Sequence, residues 1–303
     1  MTPLALLKPW YVYHPRQVLR RLKRAIRPPA DPVQVVGLPW GCPLEIDIRE
    51  TIGRSVWTAG VYDLAVCEVL HRAADPALLA LDVGANIGAM TGLLATRAAE
   101  VWAFEPYPPV LDRLRRNVSQ LAGRPGFARC IVHPVALSDH AGEVVMECPD
   151  GFDGNQGLAR VADPAPSANG TNGAATPGRV RVAVRAATLD ELLGERQVGV
   201  MKLDVEGHEL AVLQGACAAI GAGRVRSVVF EDHVGPDGPV AGFLREQGYE
   251  VLAVGWELRG PVLRAAGESA HQSYEAPSYL ATRDPGVIAS ARPRGWRCLG
   301  GGR

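Results

Sequence analysis

The chain has 303 residues and a mass of 32.3 kDa, a size that suits one large domain or a domain with an appended segment. Its composition is 47% hydrophobic and 21% charged, and no stretch reaches the ~18 apolar residues of a membrane-spanning helix, which excludes an integral membrane protein and a wholly disordered chain. The 32 lysines and arginines equal the 32 aspartates and glutamates, so the whole chain lacks the basic surplus that favours bulk nucleic-acid binding.

The amino-terminal region is a basic arm. Residues 1–30 carry seven bases and no acid, which leaves 25 bases against 32 acids, or −7, in the rest of the chain. Residues 16–26 predict a short helix with an apolar stripe and a cationic side, suited to an anionic membrane surface or to docking on the rest of the protein. Six cysteines without a C-x-x-C pair and the lack of a signal-peptide cleavage pattern predict a cytoplasmic protein with reduced thiols.

Short apolar runs alternate with helical patterns from about Leu78 to Val254. This alternation predicts an α/β fold with a central, mostly parallel sheet and helices on both faces. The predicted strands are Ala80–Val83, Val101–Phe104, Ala128–Val132, Val198–Leu203, Ser227–Phe230 and Glu250–Val254, the last of which closes the series. The predicted helices are Ile87–Ala99, Val110–Leu121, Glu209–Ile220 and Pro239–Gln247.

The regular alternation breaks between the third and fourth predicted strands. Gly142–Cys148 predicts an extra strand, and residues 151–178 hold six glycines and three prolines, which predicts a long loop that is either a lid or a passive insertion. Beyond Tyr279 no periodicity is clear, and the last twenty residues are expected to form a frayed tail.

A glycine-containing turn follows the first predicted strand, in the run Leu81–Gly88. Gly84 permits a tight turn and Gly88 permits close packing of the helix, so the loop backbone and the helix amides can approach a nucleotide-like ligand. Asp82 can bind a ligand ammonium group directly or through water, and Glu105, which closes the next strand, can accept hydrogen bonds from ribose hydroxyls. The D-x-G-x-N-x-G spacing, with Asn86, differs from the G-x-G-x-x-G of dinucleotide sites and is typical of S-adenosylmethionine sites.

Five motifs in this order resemble the FkbM family of methyltransferases. They are DVGANIG, AFEP at Ala103–Pro106, VALSD at Val135–Asp139, TLDELL at Thr188–Leu193 and KLDVEGHE at Lys202–Glu209. The resemblance implies a class I, Rossmann-like methyltransferase fold, S-adenosylmethionine as methyl donor, and O-methylation of a hydroxyl on a sugar or another small metabolite. It covers roughly Leu78 to Tyr249, so we expect an extension at 1–77, a methyltransferase domain at 78–260 and a carboxyl-terminal extension at 261–303.

The resemblance also implies where the donor binds. Its methionine end would lie against Asp82, Gly84, Asn86 and Gly88, and its ribose against Glu105. The adenine would lie near the backbone of Ala136 and Leu137.

Polar residues at the ends of the fourth and fifth predicted strands are the candidates for acceptor chemistry, because open α/β sheets bind ligands along that edge. Asp204, Glu206, His208 and His233 could each orient the acceptor hydroxyl or take its proton. Asp204 is the first choice, with ion pairing to Lys202 as its structural alternative, and a cap or surface position is the alternative for His208. A divalent ion on Asp204, Glu206, Glu231 and His233 is the minority alternative to a site without metal.

Taken together, the residues predict a methyltransferase acting on a hydroxyl of a sugar, glycolipid precursor or natural product. Two other classes stay open at this point. One is a nicotinamide-dependent dehydrogenase, against which the Asn86 spacing argues, and the other is a non-catalytic module that binds the donor or a membrane surface.

Overall fold

The computed structural model describes residues 9–13, 15–26, 29–149, 159–162, 179–232, 234–267, 277–291 and 295–300. The predicted α/β class is confirmed, with an eight-stranded mixed sheet at the centre and a smaller four-stranded sheet beside it. No helix within these ranges is long and apolar enough to cross a membrane.

Four helices and a hairpin precede the central sheet. The second strand of the hairpin packs on the third helix, and Asp63 caps the fourth helix by accepting a hydrogen bond from the backbone N–H of Val66. The elements are α1 (Pro9–Val12), α2 (Arg16–Ile26), β1 (Val33–Gly37), β2 (Pro43–Asp47), α3 (Thr51–Ala59) and α4 (Leu64–Ala73).

Strands and helices then alternate along the chain. All five residues of the first strand of this series are buried, since parallel strands covered on both faces read as continuous apolar runs. The elements are β3 (Leu79–Val83), α5 (Ala89–Leu94), β4 (Glu100–Phe104), α6 (Pro108–Ser119), β5 (Arg129–His133), β6 (Ala136–Leu137), β7 (Gly142–Pro149), β8 (Arg160–Val161), β9 (Arg179–Ala187), α7 (Leu189–Leu193), β10 (Val198–Leu203), α8 (Glu209–Gln214), α9 (Cys217–Gly221), β11 (Val225–Glu231), α10 (Pro239–Glu246), β12 (Glu250–Glu257), β13 (Gly260–Ala265), β14 (Ser278–Thr282) and α11 (Pro285–Ala291).

The strand order of the central sheet is β13-β12-β14-β11-β10-β3-β4-β5. The six predicted strands are all present in it, as β3, β4, β5, β10, β11 and β12. The expectation that Glu250–Val254 closes the series is wrong, because β14 inserts antiparallel between β11 and β12, and β13 extends the edge.

Two predicted helices are shorter than their sequence pattern. The helix expected at Ile87–Ala99 is α5 alone, which ends at Leu94. The helix expected at Glu209–Ile220 is divided into α8 and α9 at Gly215, where a Cβ would lie 1.9 Å from the carbonyl oxygen of Ser138. The absence of a side chain at Gly215 therefore lets the chain pass close to the backbone of Ser138.

The smaller sheet has the order β6-β9-β7-β8. The extra strand predicted at Gly142–Cys148 is β7, and it pairs antiparallel with β9 over eight residues from Gly142 to Pro149. Most of the loop predicted at 151–178 lies outside the described residues. Within it, β8 pairs with Met146 and Glu147 of β7.

The carboxyl-terminal segment is held by a buried ion pair of α4, so the expectation of a frayed tail is wrong for its described residues. Glu68 and Arg72 are 2.6 Å apart with fully buried side chains. The Glu68 carboxylate accepts the backbone N–H groups of Arg297 and Cys298, at 3.0 and 2.8 Å, and Arg72 donates to the carbonyl of Ser290 at 2.6 Å. These bonds fix both α11 and the 3₁₀ turn Arg297–Leu299 against the core.

Candidate active site

A cavity of about 520 Å³ lies at the carboxyl ends of β3, β4, β10 and β11. Register places Leu203 beside both Val83 and Phe230, so the four strands end at one edge. The volume is that of a site for a cofactor-sized ligand. The polar and glycine residues lining it are Thr51, Ser55, Tyr62, Asp63, Gly84, Asn86, Glu105, Lys202, Asp204, Glu206, His208, Glu231 and Ser278.

The glycine turn after β3 forms one wall of the cavity. Gly84 has a φ of +74°, and a Cβ at this position would lie 1.8 Å from the carbonyl oxygen of Asp204. Gly88 has a φ of +89° and sits behind the turn, where a Cβ would lie 2.8 Å from a methyl carbon of Leu114. The two glycines thus let the turn pack against β10 and α6 while its backbone faces the cavity.

Glu105 and Asn86 are joined across the edge of the sheet. The Glu105 carboxylate accepts the backbone N–H of Asn86 at 3.0 Å and that of Tyr107 at 2.9 Å. Glu105 is buried, and this burial raises the pKa of its carboxyl to about 7 although both amide donors oppose the rise. An ionised carboxylate has about four lone-pair sites, so two remain for hydroxyl donors from the cavity.

Asp82 does not line the cavity. Its side chain is fully buried, its Oδ2 accepts the hydroxyl of Thr91 at 2.6 Å, and its Oδ1 lies 3.7 Å from the ammonium nitrogen of Lys202. This burial opposes the expected direct contact between Asp82 and a ligand ammonium group, and the expected contact through water stays a prediction. Asp82 acts on the cavity through Lys202 instead.

Lys202 connects the donor turn to the acceptor side. Its Nζ donates to the carbonyl of Gly84 at 2.6 Å and lies 3.1 Å from Oδ2 of Asp204. Burial alone would lower the pKa of this ammonium, but the charges of Asp204 and Asp82 outweigh it and raise the pKa. The ion pair given as the structural alternative for Asp204 is thus formed, and Asp204 also lines the cavity.

The predicted acceptor residues are only partly brought together. Glu206 lines the cavity, and so does His208, whose Nε2 is 2.9 Å from the hydroxyl of Ser138 and whose pKa is lowered by burial. His208 precedes α8 as its N-cap residue, without a capping hydrogen bond from its side chain. His233 lies outside the described residues.

Two further acidic residues line the cavity: Asp63 was not predicted as a site residue, and Glu231 was predicted only as a ligand in the metal alternative. Asp63 precedes α4, and Glu231 ends β11 beside Asp204. Burial, reinforced by the charges of Asp204, Glu206 and Asp63, raises the pKa of Glu231 to about 8. No local sequence pattern joins Asp63 to Asp204 and Glu231, because the three acids come from three separate elements.

Backbone conformation marks the same cavity. In the described part of the chain, three residues other than glycine have a positive φ: Asp63 at +38°, Asn86 at +50° and Glu206 at +55°. All three line the cavity. Such conformations persist where the surrounding structure enforces them, and they cluster at functional sites.

The remaining predicted residues bear on the donor side and on metal binding. Ala136 and Leu137, on β6, are buried and line the cavity, as a contact near the adenine would require. Among the residues that the structure describes, which exclude His233, no group of three or more histidines, cysteines or acids is arranged to hold a metal ion.

Comparison with known proteins gives a family match, two relatives and a solved structure. A family model for the methyltransferase FkbM domain matches residues 82–251. The hexuronic acid methyltransferase AglP of Haloferax volcanii is 34% identical over 160 residues, which are 52% of this chain and 56% of that protein. The AMB antimetabolite synthetase AmbE of Pseudomonas aeruginosa is 32% identical over 210 residues, which are 58% of this chain and 10% of that protein.

The chain thus spans about half the length of the first relative and a tenth of the second. Among solved structures, the methyltransferase FkbM of Methylobacillus flagellatus aligns over 90% of this chain and 60% of its own, with 14% sequence identity and a TM-score of 0.43.

Proposed function

The chain belongs to the FkbM methyltransferase family, as its five motifs predicted, and from this premise we propose that it transfers a methyl group from S-adenosylmethionine to a hydroxyl of a sugar, glycolipid precursor or natural product. The observation that carries the proposal is the cavity that Gly84, Asn86 and Glu105 share at the edge of the sheet. The family also opposes the alternative of a nicotinamide-dependent dehydrogenase.

The residues present fit the donor. Gly84 lines the cavity without a side chain to fill it, and Glu105 keeps acceptor capacity for two ribose hydroxyls. Ala136 and Leu137 would lie against the adenine, and Asp82 would hold the turn in place through Lys202. When bound, S-adenosylmethionine supplies an electrophilic methyl group on a sulfonium.

Acceptor chemistry falls to the acids at the ends of β10 and β11. Methyl transfer needs an acceptor oxygen aligned behind the methyl carbon at ~3–3.5 Å, and a hydroxyl must also lose its proton. Asp204 and Glu206 are proposed to orient the hydroxyl, with His208 and His233 as further candidates. Glu231 is proposed as the proton acceptor, because a base works best when its pKa is near the working pH and the pKa of Glu231 is raised to about 8.

A sugar acceptor is supported by the relative that is named a hexuronic acid methyltransferase. The charges in this cavity modify that choice. The described residues that line it include five acids and one lysine, Lys202, but no arginine. The acids are Asp63, Glu105, Asp204, Glu206 and Glu231. The raised pKa values of Glu105 and Glu231 leave Asp63, Asp204 and Glu206 as the charges that act on this space, and we favour a sugar hydroxyl without a neighbouring carboxylate because these like charges would oppose binding of a uronic acid.

A methyl-transfer assay tests this proposal. The protein is incubated with methyl-labelled S-adenosylmethionine and matched glycosides of neutral hexoses, amino sugars and hexuronic acids, alongside Asp204→Asn. The expected result is labelling of a neutral or amino sugar that Asp204→Asn abolishes while donor binding is kept. Donor binding with no labelling in any arm would favour a non-catalytic module, and preferred labelling of the uronic acid would contradict the charge argument.

Two further expectations belong to the same proposal. One is a cytoplasmic location, and the other is contact of the basic arm with a membrane surface.

A further inference from the structure

Helix α2 is attached to the protein by its polar side. Gln17 is buried, Arg21 contacts the hydroxyl of Tyr11, and the guanidinium of Arg24 lies 3.7 Å from the ring centroid of Trp57. Arg24 also donates to the backbone carbonyl of Trp57. With ~3.6 residues per turn, positions 17, 21 and 24 share one face of the helix, and this face is the one packed on α3.

The opposite face of α2 points outward and is apolar as well as basic. Leu19 and Leu22 are 69% and 52% exposed. The exposed cations Arg16 and Lys23 flank Leu19, at about 60° and about 40° from it around the helix, and the exposed Arg20 lies at the border with the docked face, beside Arg24. This reverses the usual arrangement of a docked helix, in which the apolar stripe is packed on the protein and the charges face water.

The end of α1 and the residue after it also expose apolar side chains. Val12 and Tyr13 are 44% and 43% exposed, whereas their neighbour Tyr11 is buried and donates to the carbonyl of Thr58 at 3.2 Å. We call this surface the outer face. It consists of seven residues: Val12, Tyr13, Arg16, Leu19, Arg20, Leu22 and Lys23. It carries three positive charges around four apolar side chains and no acid.

We propose that the outer face binds an anionic lipid bilayer, with the leucines in the acyl region and the three cations at the lipid phosphates. This inference makes specific the membrane contact proposed above and does not depend on methyl transfer. Helices that lie in the membrane interface combine these residue types. A stable interface between two proteins buries at least ~1,000 Å² around a core depleted in lysine, which a single convex helix ringed by cations fits poorly.

The position of α3 links this surface to the cavity. Trp57 and Thr58 of α3 contact the arm, while Thr51, Ile52 and Ser55 of the same helix line the cavity. Axes of packed helices are ~8–10 Å apart, so a bilayer on the outer face would be separated from the cavity wall by about one helix layer. The arrangement suits an acceptor that is presented from a lipid surface.

Sedimentation with vesicles tests the inference on the full chain. Vesicles of equal parts phosphatidylcholine and phosphatidylglycerol are compared with vesicles of phosphatidylcholine alone. We expect binding to the anionic vesicles that weakens with added salt, and a loss of at least ~tenfold in Leu19→Glu/Leu22→Glu, because burial of one leucine is already worth that factor. The matched control Val35→Glu/Leu258→Glu changes two exposed aliphatic residues elsewhere, 62% and 42% exposed, and should bind as the wild type does.

A second variant and a second readout keep the outcomes distinct. Arg16→Gln/Arg20→Gln/Lys23→Gln should lose most of the salt dependence while its thermal midpoint is unchanged. Equal binding to both vesicle types, or no binding, would overturn the inference, and so would a dimer in sedimentation velocity that Leu19→Glu/Leu22→Glu dissociates. S-adenosylhomocysteine titrated against the same variants should bind normally, so failure of the methyltransferase proposal would appear in that arm alone.

Discussion

Lowering the pH from about 8 to about 6 should weaken binding of S-adenosylhomocysteine through the protonation of Glu105. The Glu105 carboxyl is buried at the edge of the cavity and its pKa is raised to about 7, with burial as the main cause. If ribose hydroxyls donate to this group, they bind its ionised form in preference. Affinity should then rise with pH, because the ionised fraction increases through the pKa.

The magnitude follows from the ionised fraction. One pH unit above its pKa the carboxyl is ~90% ionised and one unit below it ~10% ionised, so the apparent dissociation constant should change about tenfold, or ~1.3 kcal/mol. Near the pKa, ligand binding should release about half a proton, since the free protein holds about half a proton there and the complex holds less.

Titration calorimetry in two buffers of different ionisation enthalpy measures both quantities. Glu105→Gln should bind more weakly at high pH and show little pH dependence, which separates Glu105 from titration of the ligand amino group. A wild-type affinity that stays constant between about pH 6 and about pH 8, or an equal pH dependence in Glu105→Gln, would refute the proposal that Glu105 accepts hydrogen bonds from the ribose.

Three other perturbations have defined outcomes. Gly84→Ala should lose ligand binding and ~1–3 kcal/mol of unfolding free energy measured in denaturant, because the new Cβ would lie 1.8 Å from a backbone oxygen. The control Gly123→Ala has a similar φ and open space around it, so it should lose less stability and bind the ligand normally. Lys202→Met should cost ~3–5 kcal/mol in the same assay because it leaves the Asp82 charge buried, and adding Asp82→Asn should restore much of this loss; additive losses would contradict the coupling. Glu231→Gln should raise the thermal midpoint near pH 8 or above and leave it unchanged below pH ~4.5. The pKa of Glu231 is raised to about 8 in the folded protein, so ionisation of this carboxyl opposes folding as the pH rises. Equal midpoints of the variant and the wild type at high pH in scanning calorimetry would count against this.

The parallel strands could be predicted from sequence because each contains a short, mainly apolar run and the runs alternate with helical patterns. Strand β14 could not, because its place between β11 and β12 depends on pairing across the sheet rather than on any local pattern. The division of the helix at Gly215 also escaped prediction, since its cause is the approach of Ser138 from another part of the chain.

The donor side of the candidate site was predicted more completely than the acceptor side. Gly84, Asn86 and Glu105 lie within one βαβ unit, whose geometry is local. Asp82 lies on a strand that is covered on both faces, so sequence alternation could not tell that its side chain is fully buried behind Lys202 rather than part of the cavity lining. The sequence placed Glu231 with Asp204 at the ends of neighbouring strands, but Asp63 meets them only through the tertiary fold, which a one-dimensional pattern does not encode.

Helix α2 illustrates the limit of amphipathic patterns. Its sequence predicted both an apolar stripe and a cationic side, and both are present. Which side docks on the protein depends on the partners offered by α3, here the ring and carbonyl of Trp57, and these select the polar side.

Binding of the demethylated donor is the most direct test of the central claim. Titration calorimetry compares S-adenosylhomocysteine with NAD on the wild type, on Glu105→Ala, and on Glu195→Ala, in which the altered side chain is 98% exposed. The structure predicts that the wild type and Glu195→Ala bind S-adenosylhomocysteine, that Glu105→Ala binds it much more weakly, and that NAD gives no heat of binding. Binding of NAD with no response to S-adenosylhomocysteine would contradict the assignment of this cavity to a methyl donor.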